Sequence, residues 1–309
     1  MDIVICFKNK KEDDWLKEIQ LALPEVGVYV HGQVPDRTSV VMALCWYPDK
    51  IILSQYPNLR LIQSVGAGVN HLMNLDPKPK EQHVARIVDP ALSKDMFEFT
   101  LAVILSQMKN LGKYLEEKRS KVWKPKVYQR IDEVKIAVIG LGKIGAQLAV
   151  SFAQLGFKVL GYANSPKQLS QVSSHFGPGA LEKVVSDADY IINILPLTRE
   201  TSSFFDADFF AKCKKGAFFI NVGRGNHIVE QDLGLALQEG RLAGAYLDVF
   251  QEEPLPAEHP FWEYQGLQIS PHVASVTNTK TAVYQIVENY RRIMRAEVPL
   301  NEVSIERGY

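Results

Sequence analysis

The chain carries a glycine-rich loop, Gly140-Leu-Gly-Lys-Ile-Gly145, directly after the apolar run Val134–Ile139. Behind it Leu148, Phe152 and Leu155 recur at helical spacing, and Gly156 is placed to end the helix. A strand that enters a helix through so tight a turn commits the chain to a parallel βαβ unit. The first glycine permits the turn, the second lets backbone approach a pyrophosphate, and the third allows close helix–strand packing. The helix N-terminus presents N–H groups to phosphate. The rival reading, a strand–helix turn that binds nothing, is weakened by this context.

Further apolar runs repeat the pattern. Downstream lie Lys158–Tyr162, Tyr190–Leu195, Ala217–Val222, Gly244–Val249 and Leu267–Ser270, all read as strands. Upstream, Ile3–Phe7, Trp15–Leu23, Val26–Val30, Val40–Trp46, Ile51–Gln55, Leu59–Val65 and Val84–Val88 alternate strand-like with amphipathic stretches. Ser93–Arg119 reads as a single long helix with Ser93 as N-cap, and Ala282–Met294 as a last helix that packs back on the first half. At 309 residues the chain has room for two cores. The expected class is α/β: two Rossmann-like or flavodoxin-like parallel-sheet domains with an inter-domain cleft. Residues 1–93 plus 275–309 would form a substrate-binding domain, and 94–274 a dinucleotide-binding domain.

In an open α/β sheet, ligands bind outside the carboxyl ends of the strands. Arg224, Glu253 and His272 each stand just past such an end. An imidazolium at His272 could protonate a developing alkoxide, and a carboxylate partner such as Glu253 favours the protonated ring. Arg224, between Gly223 and Gly225, could grip a carboxylate in a planar fork or polarise a carbonyl. Val65-Gly-Ala-Gly-Val69 offers backbone N–H groups at Ala67 and Gly68 for a substrate carboxylate. Each has a plainer alternative: a surface carboxylate beside Glu252, a structural ion pair, an ordinary glycine turn.

The cofactor is read from the end of the second strand. A free ribose 2′-hydroxyl is usually met by an acid about 20 residues past the glycine loop. Ala163-Asn-Ser-Pro-Lys167 holds none, whereas Asn164 and Ser165 can donate hydrogen bonds and Lys167 adds a cation. NADP(H) is therefore expected over NAD(H), with NAD(H) still possible.

Composition excludes other classes. Lys+Arg and Asp+Glu are both 35, so nothing draws the chain to nucleic acid or an anionic membrane. Lys118–Lys126 reads as a solvated helix end. Cys6, Cys45 and Cys213 are sparse and lack metal-ligand spacing, which fits a reducing cytoplasm without disulfides or a bound metal. The N-terminal apolar run is too short for a signal peptide, and Phe99–Leu105 is too short to cross a bilayer.

Taken together, Ser64-Val-Gly-Ala-Gly-Val-Asn70, Gly140–Gly145, Leu195-Pro-Leu-Thr198, Asn221–Gly225, Asp248-Val-Phe-Gln-Glu-Glu-Pro254 and Ser270-Pro-His-Val-Ala274 resemble the D-isomer-specific 2-hydroxyacid dehydrogenases along nearly the full chain. The resemblance is nearest to the glyoxylate/hydroxypyruvate reductase A branch. It implies reduction of small 2-oxo acids to 2-hydroxy acids by hydride transfer, with His272 the proton donor, Glu253 orienting it and Arg224 holding the substrate. It also implies that the backbone groups of Ala67 and Gly68 hold the substrate carboxylate. Gly140, Gly142, Lys143, Ile144, Gly145, Leu195, Pro196, Thr198, Val222, Gly223, Asp248 and Ala274 would contact cofactor, Asp248 at the nicotinamide carboxamide. A homodimer is implied, with Trp123 reaching toward a partner subunit or else packed locally. Asn70 and Ala163 replace acids common in the family. Trp46, Arg86 and Ser275 are candidates for shaping the pocket. Rival readings are a dinucleotide-sensing, corepressor-like interaction protein with little turnover, and an NAD-dependent D-2-hydroxyacid dehydrogenase of other specificity.

Overall fold

The computed structural model describes residues 1–8, 10–73, 75–76, 79, 81–177 and 179–304. The last five residues of the expected substrate-binding domain, 305–309, lie outside that set. The chain divides into two compact units, Met1–Ala91 with Thr277–Tyr309, and Leu92–Val276.

The first unit is built on β1 (Asp2–Phe7), α1 (Asp13–Ala22), β2 (Val28–Val30), β3 (Val40–Trp46), β4 (Leu61–Ser64) and β5 (His83–Ala85). All strand pairs are parallel, in the order β2-β1-β3-β4-β5, which is the flavodoxin-like arrangement. Strands covered on both faces must be apolar throughout, and Ile3, Val4 and Ile5 of β1 and Val40 through Cys45 of β3 are all buried.

The second unit contains α2 (Pro90–Met108), whose first residues precede its boundary, α3 (Leu111–Arg119), β6 (Lys135–Ile139), α4 (Lys143–Gln154), β7 (Lys158–Ala163), β8 (Val172–Phe176), α5 (Ala180–Val185), β9 (Tyr190–Asn193), α6 (Ala207–Lys212), β10 (Ala217–Asn221), α7 (Glu230–Gln238), β11 (Leu242–Leu247) and β12 (Leu267–Ile269). Its seven strands run parallel in the order β12-β11-β10-β9-β6-β7-β8, the doubly wound Rossmann order with one strand added. Alternate strand residues feed two cores. Ile136, Val138, Ile192 and Ile220 meet α2 and α4 on one face. Ala137, Ile139, Ile191 and Phe219 meet α5, α6 and α7 on the other. Finally α8 (Thr279–Met294), capped by Asn278, returns to the first unit. Its Asn289 donates to Gln63 Oε1 across 2.8 Å.

The local structure departs from expectation at four places. The long helix is two helices, because Asn110 takes a left-handed conformation (φ 58°) and breaks the ladder after α2. The true start is Pro90, where a missing N–H costs nothing, with Asp89 accepting from the Ala91 N–H at 2.8 Å; Ser93 lies inside the helix. Strand β8, Val-Ser-Ser-His-Phe, was not expected, since an edge strand needs only one apolar face. Leu155 is exposed rather than on the buried face of α4. It is the C-cap, and Gly156 (φ 97°) closes the helix in a Schellman motif, with Phe157 N–H donating to the Phe152 carbonyl and Gly156 N–H to that of Ala153.

Phe152 is fully buried between the rings of Phe97 and Phe157, at centroid distances of 5.1 and 5.5 Å. Phe152→Ala should lower unfolding free energy by about 3–5 kcal/mol in urea titration, as expected for an unfilled aromatic site. A loss below about 1 kcal/mol would mean that this contact does not anchor α4.

Candidate active site

Strand order reverses between β6 and β9, and two loops leave the sheet there. Gly140 (φ 111°) turns the chain out of β6; a Cβ on it would stand 3.0 Å from the Ile194 carbonyl oxygen of the neighbouring loop. A Cβ on Gly145 would lie 1.9 Å from the Gly140 carbonyl oxygen, so no side chain is possible where α4 meets the turn. At Gly142 the same construction meets nothing within 4 Å. Gly142 is the N-cap of α4 and offers no capping side chain; Lys143 and Ile144 open the helix behind it. The result is an open approach to uncapped, positively polarised N–H groups. At the end of β7, Ala163 is buried, and Asn164, Ser165 and Lys167 are exposed with no acid among them.

The loops after β10, β11 and β12 hold the ionisable groups. Val222 is buried and Gly223 leads to Arg224, whose guanidinium donates to the Gly223 carbonyl at 2.7 Å. Gly225 lies flat against the loop after β11: a Cβ there would come within 1.9 Å of the Phe250 carbonyl carbon. That loop carries Glu253, which accepts from the Phe250 N–H at 3.0 Å through Oε1 and meets His272 Nδ1 at 2.7 Å through Oε2. Burial alone would raise the Glu253 carboxyl; the bond to His272, the Phe250 N–H and the nearby Arg224 charge outweigh it and hold the group below the usual range. The structure thus brings Arg224, Glu253 and His272 together. With Nδ1 committed to Glu253, the His272 ring has Nε2 left for chemistry.

His272 occupies the left-handed region (φ 55°), a strained choice for a non-glycine residue that costs about 1–3 kcal/mol. Asp248 holds it there. The Asp248 carbonyl accepts from the His272 N–H at 2.8 Å, and its carboxylate takes Ser270 Oγ, Val273 N–H and Ala274 N–H at 2.5, 2.8 and 2.9 Å. Asp248 and Ala274 are both almost wholly buried, so the observed work of this pair is to set the loop that displays His272.

A family model for the NAD binding domain of D-isomer specific 2-hydroxyacid dehydrogenases matches residues 101–274. The chain belongs to that family. Among its relatives, a glyoxylate/hydroxypyruvate reductase A of Photorhabdus laumondii is 32% identical, with both chains covered in full. A D-isomer specific 2-hydroxyacid dehydrogenase from Xanthobacter autotrophicus Py2, solved with NADPH and MES, superposes with a TM-score of 0.94 at 35% identity over 100% of this chain and 99% of that one. An NADPH-dependent glyoxylate/hydroxypyruvate reductase from Sinorhizobium meliloti, solved with NADP and sulfate, gives 0.92 at 27% identity over 100% and 99%. As a 2-hydroxyacid dehydrogenase the chain fits a dinucleotide on its own geometry: an open cradle at Gly142, a bare helix end, and no acid at the β7 terminus.

Other expected contacts of the dehydrogenase are placed as follows. Leu195 N–H donates to Asn193 Oδ1 at 3.0 Å, and Thr198 N–H donates to Thr201 Oγ1 at 2.8 Å, with the Thr201 hydroxyl donating to the Pro196 carbonyl at 2.6 Å. Ser275 donates to the Leu92 carbonyl at 3.0 Å, a packing contact. In the first unit, Trp46 covers Gly66, where a Cβ would stand 2.7 Å from its ring. Ser64 Oγ donates to the Gly68 carbonyl at 2.8 Å and shapes the turn through Ala67. Arg86 is half-buried, which pushes its pKa down. Trp123 is 96% exposed, so the local-packing alternative does not hold in the isolated chain.

Three further residues of this dehydrogenase were not singled out from the sequence. Asn193, Asn221 and His227 are all fully buried. Asn193 and Asn221 are register partners on β9 and β10, and Asn193 Nδ2 donates to Asn221 Oδ1 at 2.8 Å. His227 Nδ1 accepts from Asn193 Nδ2 at 2.9 Å and from the Arg224 N–H at 3.1 Å. Its Nε2 faces the Pro196 carbonyl at 3.2 Å. Because an N–H can only donate, Nδ1 is the acceptor and Nε2 carries the proton. The available signal was an asparagine closing each of two apolar strands, Tyr-Ile-Ile-Asn and Ala-Phe-Phe-Ile-Asn.

Burial, helped by the Arg224 charge, lowers the His227 pKa from 6.5 to about 4. Between those values the unfolded chain binds a proton that the folded chain refuses, so stability falls as pH drops through this window. The expected loss is up to about 3 kcal/mol between pH 6.5 and 4. His227→Asn should flatten the slope of unfolding free energy against pH by up to one proton. An unchanged slope would show that His227 titrates normally.

Proposed function

We propose that the chain reduces small 2-oxo acids, glyoxylate and hydroxypyruvate foremost, with NADPH as the preferred reductant and NADH as a poorer one. The observation that carries this is the 2.7 Å His272–Glu253 pair with Arg224 beside it, at the strand ends served by the Gly142 cradle. NADPH, when bound, supplies the hydride. Arg224 binds the carboxylate of the 2-oxo acid and polarises its keto oxygen, through the planar donor fork that suits both. His272 hands a proton from Nε2 to that oxygen as it gains charge, and Glu253, bonded to Nδ1 at 2.7 Å, keeps the ring oriented. Relatives bearing reductase names, and neighbours solved with NADPH or NADP, support the substrate class and the cofactor. Asn164, Ser165 and Lys167 are assigned to the 2′-phosphate, since they supply donors and a cation where an acid would repel it.

His272→Ala should cut turnover of glyoxylate at least about a hundredfold while NADPH still binds. Near-normal turnover would remove His272 from proton transfer. Specificity constants with each reduced cofactor test the second assignment, and NADH used as well as NADPH would overturn it.

We assign the chain to the cytoplasm as a homodimer. Cys6, Cys45 and Cys213 are free and buried, which suits a reducing compartment, and no helix among the described residues is long and apolar enough to cross a membrane. Leu115, Val122, Trp123, Val127 and Tyr128 are exposed along α3 and the segment after it, with Trp123 and Val127 almost fully bare. An apolar run of that kind suits the same run on a second copy. Sedimentation should give twice 34.8 kDa. The double variant Trp123→Glu, Val127→Glu should sediment as a folded monomer, and a monomeric parent would refute the assignment.

A further inference from the structure

We infer that His227 is a positioning residue that ties the loop bearing Arg224 to the loop bearing Pro196, so that substrate grip and cofactor seat are set by opposite ends of a single imidazole. The inference rests on the functional reading above, in which Arg224 holds the 2-oxo acid, and on the cofactor contact at Pro196 that the family resemblance implies.

The geometry is two-ended. Nδ1 accepts from the backbone N–H of Arg224 at 3.1 Å, and Nε2–H donates to the carbonyl of Pro196 at 3.2 Å. The two asparagines brace both loops from below. Asn221 Nδ2 donates to the Arg224 carbonyl at 3.1 Å and its Oδ1 accepts from the Gly223 N–H at 3.1 Å. Asn193 Oδ1 accepts from the Leu195 N–H, one residue before Pro196, at 3.0 Å. Arg224 is therefore held at its N–H and its carbonyl, by different side chains. The ring of Phe205 packs edge-on against His227 at 6.3 Å. Gly223 is small for the same reason: a Cβ on it would reach 2.9 Å from Asn193 Nδ2 and 3.1 Å from His227 Nδ1. A ring in this place does not touch the reacting atoms. It fixes where the guanidinium starts from, and a displacement of about 1 Å in a catalytic group can cost about a hundredfold in rate.

The two ends can be cut separately. In His227→Asn the side-chain oxygen can stand where Nδ1 stood and accept from Arg224, but nothing reaches Pro196. In His227→Gln the amide nitrogen can stand where Nε2 stood and donate to Pro196, but the Arg224 N–H loses its acceptor. Glyoxylate KM and kcat, NADPH Kd by fluorescence titration and Tm are measured on the full chain for the parent and both variants. Losing one buried hydrogen bond is worth about tenfold. The Gln variant is therefore expected to raise glyoxylate KM about tenfold and leave NADPH Kd within about twofold. The Asn variant should weaken NADPH about tenfold and leave glyoxylate KM within about twofold. Parallel changes in both constants, a swapped pattern, or parental values in both variants would overturn the inference. If neither variant folds, Gly223→Ala takes their place: pressing on the Asn193 amide and the His227 ring, it should raise both constants with Tm retained, and parental constants would overturn the proposal. A parent chain inert toward every 2-oxo acid sinks the functional reading itself, whereas an active parent with the wrong variant pattern sinks only the role of His227.

Discussion

Parallel pairing of β9 with β10 sets Asn193 directly beside Asn221, and much of the reactive edge of the second unit is arranged around that register. Backbone hydrogen bonds stop where strands end, so each loop leaving the sheet must find other partners for its N–H and carbonyl groups. Here the two asparagine amides and the His227 ring supply them for the loops at Leu195 and at Gly223–Arg224. Slipping either strand by one residue would turn one asparagine to the opposite face of the sheet and leave the other unpaired in a dry interior. The same pairing puts the alternating isoleucines and phenylalanines of both strands into the two cores, so hydrophobic burial and loop geometry demand a common register.

A second constraint works further along the edge. Asp248 gathers four donors from the His272 loop, counting the bond to its own carbonyl, and keeps a strained histidine in the left-handed region. The carboxylate gains enough from charge-assisted hydrogen bonds to offset the backbone strain. The ring is thereby presented to Glu253 without any freedom of its own loop to collapse onto it.

Much of this was legible in the residues. Strands buried on both faces are continuous apolar runs, so β1, β3, β6, β9 and β10 stood out, and the glycine loop marked the first turn of the second unit. Arg224, Glu253 and His272 could be named because each stands just past the end of a strand-like run. What was not legible depends on tertiary contact. Strand β8 exists because β7 offers it an edge, not because Val-Ser-Ser-His-Phe is strand-like. The break at Asn110 reflects one residue's tolerance of a left-handed turn, which a helical period cannot reveal. His227 sits in a polar stretch, Gly-Asn-His, and nothing in that stretch says that the ring points inward to be sealed from water. Asp248 was marked only by the family resemblance of its motif, and nothing in that motif foretold its four-donor cradle.

The contact of Gly225 with the Phe250 backbone has a consequence for how this enzyme can diversify. Two chain segments that touch main chain to main chain leave no side chain to trade, so neither can drift unless the other compensates at once. Mutations that retune selectivity are thereby steered away from the framework of Arg224 and Glu253, toward positions where replacing a side chain leaves that seam intact.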